Sequence, residues 1–209
     1  MLEIKNLNKS FGDNVVLSDF NLKVEDGERV AIVGKSGSGK TTLLKIISKE
    51  IKDFDGKVTI DPGVRISMVF QDNLLFENRT VLENLKFVSD MDSHELEKLL
   101  LELGLQNTIT QKVKNLSGGM KRRVSFLKAL LVPADLLLMD EAIREVDSES
   151  EDLMIEYLDS HFHGTIIFVT HSESQVEKLK ARKVEIWIFL IILRKTALSL
   201  KKPFMRVGI

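Results

Sequence analysis

The sequence predicts an α/β fold: a mostly parallel core sheet, an antiparallel β subdomain near the N-terminus, and a helical subdomain inserted between strands. Three observations predict it. An apolar stretch at 29–33 leads through the glycine-rich turn GKSGSGKTT at 34–42 into a helical pattern opening with Leu43-Leu44-Lys45. Two continuous apolar runs, Leu136-Leu137-Leu138-Met139 and Thr165-Ile166-Ile167-Phe168-Val169, have the composition of strands buried on both faces. A helical pattern at 149–160 lies between those runs, as a right-handed parallel crossover requires.

Taken in order, residues 2–33 read as β structure. Leu2 and Ile4, then Phe20, Leu22 and Val24, alternate with polar residues as half-buried strands do. Asp26-Gly27 predicts a tight turn before the strand at 29–33. Two short strands follow at 56–60 and 66–70, with Asp61-Pro62-Gly63 as the turn between them. From about 73 to 128 the pattern becomes helical. Asp92, with Glu95 three residues later, predicts an N-cap of the capping-box type. Leu96, Leu99, Leu100 and Leu103 then share one face, which reads as core, and Gly104 ends the helix. The run from Val184 to Leu193 is rich in β-branched and aromatic residues, and at least its first half is expected as an edge strand, covered by the final residues or by a partner.

The 209 residues suit one domain, 1–209, with the helical subdomain at about 73–128 and an atypical tail at about 186–209. A formal net charge of -1 gives no sign of a nucleic-acid binder held by bulk charge. Without cysteine there is no disulfide, thiolate zinc site or thiol catalysis. The opening MLEIKNLNKSFG lacks the basic and apolar regions of a signal peptide. The strongly apolar run at 186–193 is too short to span a bilayer as a helix and is flanked by Arg182-Lys183 and Arg194-Lys195, so a soluble protein is expected.

The turn carries the chemistry. Gly34, Gly39, Lys40 and Thr41 have the spacing of a phosphate-cradling P-loop between strand and helix. Glycines let backbone N–H groups converge on phosphate oxygens, and the helix N-terminus adds partial positive charge. Lys40 is expected to reach the β- and γ-phosphates and the Thr41 hydroxyl to ligate Mg²⁺. Asp140 and Glu141 directly follow the apolar run at 136–139, where a carboxylate lies beside the phosphate site in such folds. Asp140 is the expected partner of Mg²⁺, and Glu141 the group that orients and deprotonates the attacking water. His171, just past the next apolar strand, suits a γ-phosphate sensor. His161 and His163 read as a solvated loop, since no third ligand has metal spacing nearby.

Asn115-Leu116-Ser117-Gly118-Gly119-Met120 supplies a second anion-binding helix start. One chain does not need two phosphate sites, whereas a head-to-tail dimer does. With these motifs in this order, residues 1 to about 185 resemble the ATP-binding subunit of ATP-binding-cassette (ABC) transporters. The resemblance implies a P-loop ATPase, ATP and Mg²⁺ as ligands, a second ATP-binding subunit, and separate integral membrane permease subunits. It implies that Phe11, in KSFG, stacks on adenine and that Gly34, Lys35, Ser36, Gly37, Ser38, Gly39, Lys40, Thr41 and Thr42 hold phosphates. Thr41, Gln71 and Asp140 would serve the metal and its waters, and Glu141, His171, Lys40 and Gln71 the catalysis. Ser117 and Gly119, with Gly118 between them, would bind nucleotide to complete the partner's site, and Asp147 would be the nucleotide-site aspartate of the loop that crosses to the partner subunit. It also implies a place at the cytoplasmic face of the membrane.

The chain departs from that pattern in four places. Met120 stands where glutamine is common, Ala142 where proline is usual, and 143–146, IREV, where smaller residues precede the aspartate; the residues after about 185 do not resemble the family's closing strands. The segment at 76–84 and the ending SGGMKRRV look like the short subunits of nitrate, sulfonate and taurine importers, which implies import of a small anion. Short exporter and lipoprotein-release subunits share much of the pattern. A soluble, non-transport ABC ATPase is the rival from another class. Against it stand the single cassette and the lack of sustained heptads, and Lys121-Arg122-Arg123 reads as a solvated face rather than a nucleic-acid patch.

Overall fold

The computed structural model describes residues 1–186. Two sheets form. The first is antiparallel, in the order β2-β1-β4, from β1 (Leu2–Phe11), β2 (Asn14–Val24) and β4 (Asp55–Ile60). The second has five strands in the order β5-β6-β7-β3-β8, from β3 (Arg29–Val33), β5 (Ile66–Val69), β6 (Leu136–Asp140), β7 (Thr165–Val169) and β8 (Arg182–Glu185). All of its pairings are parallel.

The apolar runs explain why the sheet is buried on both faces. Val30, Ile32, Leu136, Leu138, Ile167 and Val169 point to one side, where they meet helix α1 (Lys40–Ile47) and the inward residues Leu2, Ile4, Leu7, Leu17 and Val24 of the antiparallel sheet. Ala31, Leu137, Met139, Ile166 and Phe168 point to the other side and pack on the remaining helices. The strand period of two therefore divides one sequence run between two cores. Each fully buried leucine or isoleucine contributes about 1.5–3 kcal/mol of burial.

The helical stretch expected at 73–128 resolves into α2 (Val81–Lys86), α3 (Ser93–Glu102), a single 3-10 turn at Val113–Asn115 and α4 (Gly118–Leu130). Residues 73–80 are not helical. The buried Asn84 side chain holds them, accepting from the Phe76 N–H and donating to the Phe76 and Thr80 carbonyls. Capping boxes start α2 at Thr80/Glu83 and α3 at Asp92/Glu95. Gly104, at φ 64, ends α3: its N–H reaches the Leu101 carbonyl while Leu105 N–H reaches Leu100, a Schellman arrangement. Leu96, Leu100 and Leu103 are fully buried, so the leucine stripe is core. Helix α5 (Ser148–His161) makes the crossover from β6 to β7, and α6 (Glu173–Lys178) precedes β8.

The edge strand starts earlier than expected. β8 opens at Arg182, runs parallel to β3, and hands over to Ile186, whose N–H donates to the Val33 carbonyl. The rest of the 184–193 run and the tail lie outside the described residues. No described helix is long and apolar enough to cross a membrane.

Candidate functional site

The loop between β3 and α1 is shaped by glycines at positions where a side chain has no room. A Cβ on Gly34 would lie 2.5 Å from the Ile186 carbonyl oxygen and 2.8 Å from Ser38 Oγ. Gly39 sits at φ +93, and its Cβ would meet Val16 Cγ1 at 2.7 Å, so the β1–β2 hairpin walls the loop. Lys40 opens α1 and is only 6% exposed. Its Nζ donates to the Gly34 and Lys35 carbonyls at 2.9 and 3.0 Å, inside the loop. Burial pushes the Lys40 ammonium below its usual range, against the pull of Glu141 and Asp140. Lys35, Ser36 and Gly37 are exposed on the loop's outer turn, and Thr41 and Thr42 are half-buried on the first turn of α1.

Asp140 ends β6 fully enclosed, and its Oδ1 has no hydrogen-bond partner among the described residues; neither does the buried Ser38 Oγ. Burial pushes the Asp140 carboxyl above its ordinary value, with hydrogen bonding from Thr41 working against it. A buried carboxylate with one unpaired oxygen, next to a threonine hydroxyl, suits Mg²⁺, which takes few protein ligands and completes its shell with waters and phosphates. No described group of three His, Cys, Asp or Glu side chains is placed to hold a metal. The residues therefore fit a cation that arrives with phosphate, held by Thr41 and Asp140.

Glu141 follows with a left-handed backbone, φ 49, unusual for a side chain other than glycine or asparagine. Its Oε1 lies 3.2 Å from His171 Nε2, and its Oε2 is paired with Arg144. Burial raises the Glu141 carboxyl, but Arg144, His171 and Lys40 outweigh it and hold the group below its usual range. Gln71, exposed just after β5, shares a pocket of about 250 Å³ with Glu141, Arg144 and Gly118. Lys40, Thr41, Gln71, Asp140, Glu141 and His171 are thus one cluster at the C-terminal ends of four parallel strands.

Other expected residues stand apart. Phe11 is 52% exposed at the end of β1, with Lys9 Nζ 4.8 Å from its ring centre. Ser117 is the N-cap of α4, its Oγ accepting from Met120 N–H at 3.3 Å. Gly118 and Gly119 open that helix with nothing within 4 Å of an added Cβ. Asp147 caps α5 through Ser150, a structural duty that sequence reasoning did not assign. His161 is not in a loop: it ends α5, paired with Glu102 at 2.6 Å and stacked on Tyr157.

Sequence reasoning also missed two cross-links. Arg144 lies within IREV, noted only as a departure, and its reach to Glu141 across three residues is a local signal that could have found it. Buried Gln175 accepts from Thr170 Oγ1 at 2.6 Å and donates to the Ile143 carbonyl at 2.8 Å, tying the His171 loop to the Glu141 loop. No sequence signal marks that residue.

Comparison with known proteins places this geometry in context. A family profile described as ABC transporter matches residues 17–144. The spermidine/putrescine import ATP-binding protein PotA of Fusobacterium nucleatum is 34% identical over 200 residues, covering 87% of this chain and 53% of that protein. The aliphatic sulfonates import ATP-binding protein SsuB 2 of Burkholderia cenocepacia is 35% identical over 184 residues, 82% of this chain and 68% of that protein. The methionine import ATP-binding protein MetN of Clostridioides difficile is 33% identical, and the chain spans 64% of it. The chain therefore spans between about half and two thirds of these relatives. Among solved structures, the ATP-binding cassette MJ0796, a dimer in a post-hydrolysis state bound to ADP and Pi, superposes with a TM-score of 0.76 at 28% identity. That match covers 89% of this chain and 94% of the other.

Proposed function

The chain belongs to the ABC transporter family, and from that premise we propose that it binds and hydrolyses ATP, paired with a second ATP-binding subunit, to drive transport through separate membrane-spanning subunits. The observation that carries the reading is the cluster of Lys40, Thr41, Asp140, Glu141 and His171 beside a walled glycine loop, with the buried Asp140 Oδ1 and Ser38 Oγ unpartnered among the described residues.

The loop amides and Lys40 bind the triphosphate, and Lys40 exchanges its two carbonyl partners for phosphate oxygens. Thr41 and Asp140 would hold Mg²⁺, and Gln71 would serve its waters. When bound, the ion neutralises charge developing on the β- and γ-phosphates. Glu141 orients a water in line with the γ-phosphorus and takes its proton as the new P–O bond forms and the bond to the ADP oxygen breaks. His171, whose Nε2 lies 3.2 Å from Glu141 Oε1, steadies that carboxylate before nucleotide binds and turns the same N–H to the γ-phosphate afterwards. Phe11, exposed at the hairpin tip, offers a stacking face for adenine.

The second subunit is supported by the open start of α4. Ser117 is exposed and Gly118 and Gly119 border free space, so a phosphate from outside the chain can approach the helix N-terminus closely. For the permease, the support is an apolar patch of Leu74, Phe76 and Phe87, which are 59%, 49% and 72% exposed, with Lys128 over both rings. A permease docked on that patch would hold the chain at the membrane surface, the cytoplasmic face in the reading proposed here. The relatives' names point to import; they cover polyamines, sulfonates and methionine, so the small anion expected from the sequence is one case of a small polar cargo.

The test is Glu141→Gln. It should bind ATP without turning it over and elute as a dimer on gel filtration with ATP. Lys40→Ala should lose binding itself. A Glu141→Gln protein that stays monomeric and hydrolyses at the parent rate sinks the reading.

A further inference from the structure

The basic run Lys121-Arg122-Arg123, expected as a solvated face, divides into three fates. Lys121 pairs with Glu77 at 2.9 Å on the surface. Arg123 donates to the Leu103 carbonyl at 2.9 Å. Arg122 turns inward and is only 6% exposed. Its guanidinium is hydrogen-bonded to no carboxylate among the described residues. Nε donates to the Ala142 carbonyl at 2.7 Å, Nη1 to those of Phe70 and Gln71 at 2.7 and 2.8 Å, and Nη2 to that of Glu141 at 2.7 Å. Asp140 and Glu141 act on it as charges through space, against burial.

This is an unusual use of a buried cation. A guanidinium carries five donors in a rigid planar fork, and here the fork spans the main chains of the two loops that leave the paired strands β5 and β6, just past the end of their ladder at Val69 and Met139. Both loops are catalytic in the reading above: one carries Gln71, the other Glu141 with its left-handed backbone. The fork itself belongs to α4, five residues after Ser117 in sequence. A shift of the start of α4 therefore pulls on Gln71 and Glu141 together. Lysine offers three donors without planarity and glutamine two, so neither can hold both loops in one geometry.

We infer that Arg122 is a positioning residue that couples the serine-glycine start of α4 to the chain's own base loop, so that nucleotide held by a partner subunit at Ser117 sets the placement of Gln71 and Glu141 in this one. The inference rests on the dimeric ATPase proposed above and deepens it. In that dimer Ser117 and Gly119 touch the partner's nucleotide, while Gln71 and Glu141 act on the chain's own. Arg122 is the one side chain among those described that bonds directly from α4 to both loops. The two composite sites then communicate through it, and hydrolysis is cooperative in ATP.

The test compares the full-length parent with Arg122→Gln and Arg122→Lys. Arg122→Gln should lower kcat by roughly 100-fold, the scale of a misplacement near 1 Å at a reacting group. KM for ATP should stay within about threefold, since the phosphate loop is untouched. The Hill coefficient should fall from above unity in the parent to unity. Arg122→Lys should recover part of kcat and none of the cooperativity. As a readout apart from turnover, amide hydrogen exchange should rise in segments 70–72 and 140–142 and stay unchanged in β3 and α1. A loss of nucleotide affinity and thermal stability parallel to the loss of kcat would make Arg122 a merely structural residue and overturn the inference. So would parent-like kcat and cooperativity in Arg122→Gln. Glu141→Gln run alongside separates the two claims: if that variant hydrolyses ATP, the base assignment has failed first and takes the inference with it; if it is inactive while Arg122→Gln is parent-like, only the coupling has failed.

Discussion

The loop before α1 and the loop before α4 use the same chemistry and differ in their walls. Each places glycines and a hydroxyl at a helix N-terminus, where unpaired N–H groups favour an anion. At the first, the protein encloses the glycines itself: added Cβ atoms would meet Ile186 O at 2.5 Å and Val16 Cγ1 at 2.7 Å. At the second, added Cβ atoms on Gly118 and Gly119 meet nothing within 4 Å, and neither residue has a positive φ. Glycine in a helix costs about 0.5–1 kcal/mol relative to alanine. At 34 and 39 the fold itself requires glycine. At 118 and 119 the fold gives no such reason, which is the contrast that the dimer proposed above accounts for by what approaches from outside.

Four changes would break or sharpen that contrast. The largest effect is expected from Ser117→Arg, which blocks the open site from outside. Hydrolysis should fall by about 10³-fold, the scale of losing transition-state donors, while ATP affinity of the isolated monomer, measured by fluorescent nucleotide titration, stays at the parent value. Mixing this variant with Lys40→Ala leaves one intact composite site per heterodimer and should restore some turnover. Lost monomer affinity would mean that Ser117 serves its own chain's nucleotide.

Next comes Gly39→Ala. At φ +93 with Val16 Cγ1 at 2.7 Å, overpacking and backbone strain together should cost about 3 kcal/mol. A fall in denaturant midpoint with loss of nucleotide binding is the expected result; an unchanged midpoint would show that the hairpin yields. Gly119→Ala should do the reverse. It should raise stability by up to about 1 kcal/mol, read from thermal melting, and still lower turnover because a methyl group now stands where phosphate approaches. Unaltered turnover would remove the external reason for that glycine.

The smallest effect is expected from Arg144→Ser. Arg144 occupies Glu141 Oε2 in a half-exposed pair, and such pairs contribute about 1 kcal/mol or less. Freeing the carboxylate should therefore raise kcat by no more than about fivefold. A loss of kcat instead would make Arg144 a contributor to the reaction rather than a restraint on its base.

Much of the P-loop was legible because its geometry is local. Glycine spacing, the preceding buried run and the following helix lie within one stretch at 29–47, and each backbone requirement is written in the residue that meets it. The same holds for the Asp92/Glu95 box and the Gly104 stop, whose bonds span three to five residues. The helical region expected from about 73 begins only at Val81, for the opposite reason. Asn84 holds 76–80 out of the helix by side-chain bonds that compete with the helical ladder, and periodicity does not register them.

By itself the sequence determined the two glycine-bearing helix starts, the carboxylate pair after a buried strand and the alternating faces of β6 and β7, since all of these depend on neighbours along the chain. Only the tertiary structure decided which side chains bind those parts together. Arg122 meets the Gln71 carbonyl from 51 residues away and Gln175 meets Ile143 from 32. An arginine in a basic run has one composition whether it faces water or four backbone carbonyls inside the fold. The difference is made by desolvation, which exists only once the loops have closed around it.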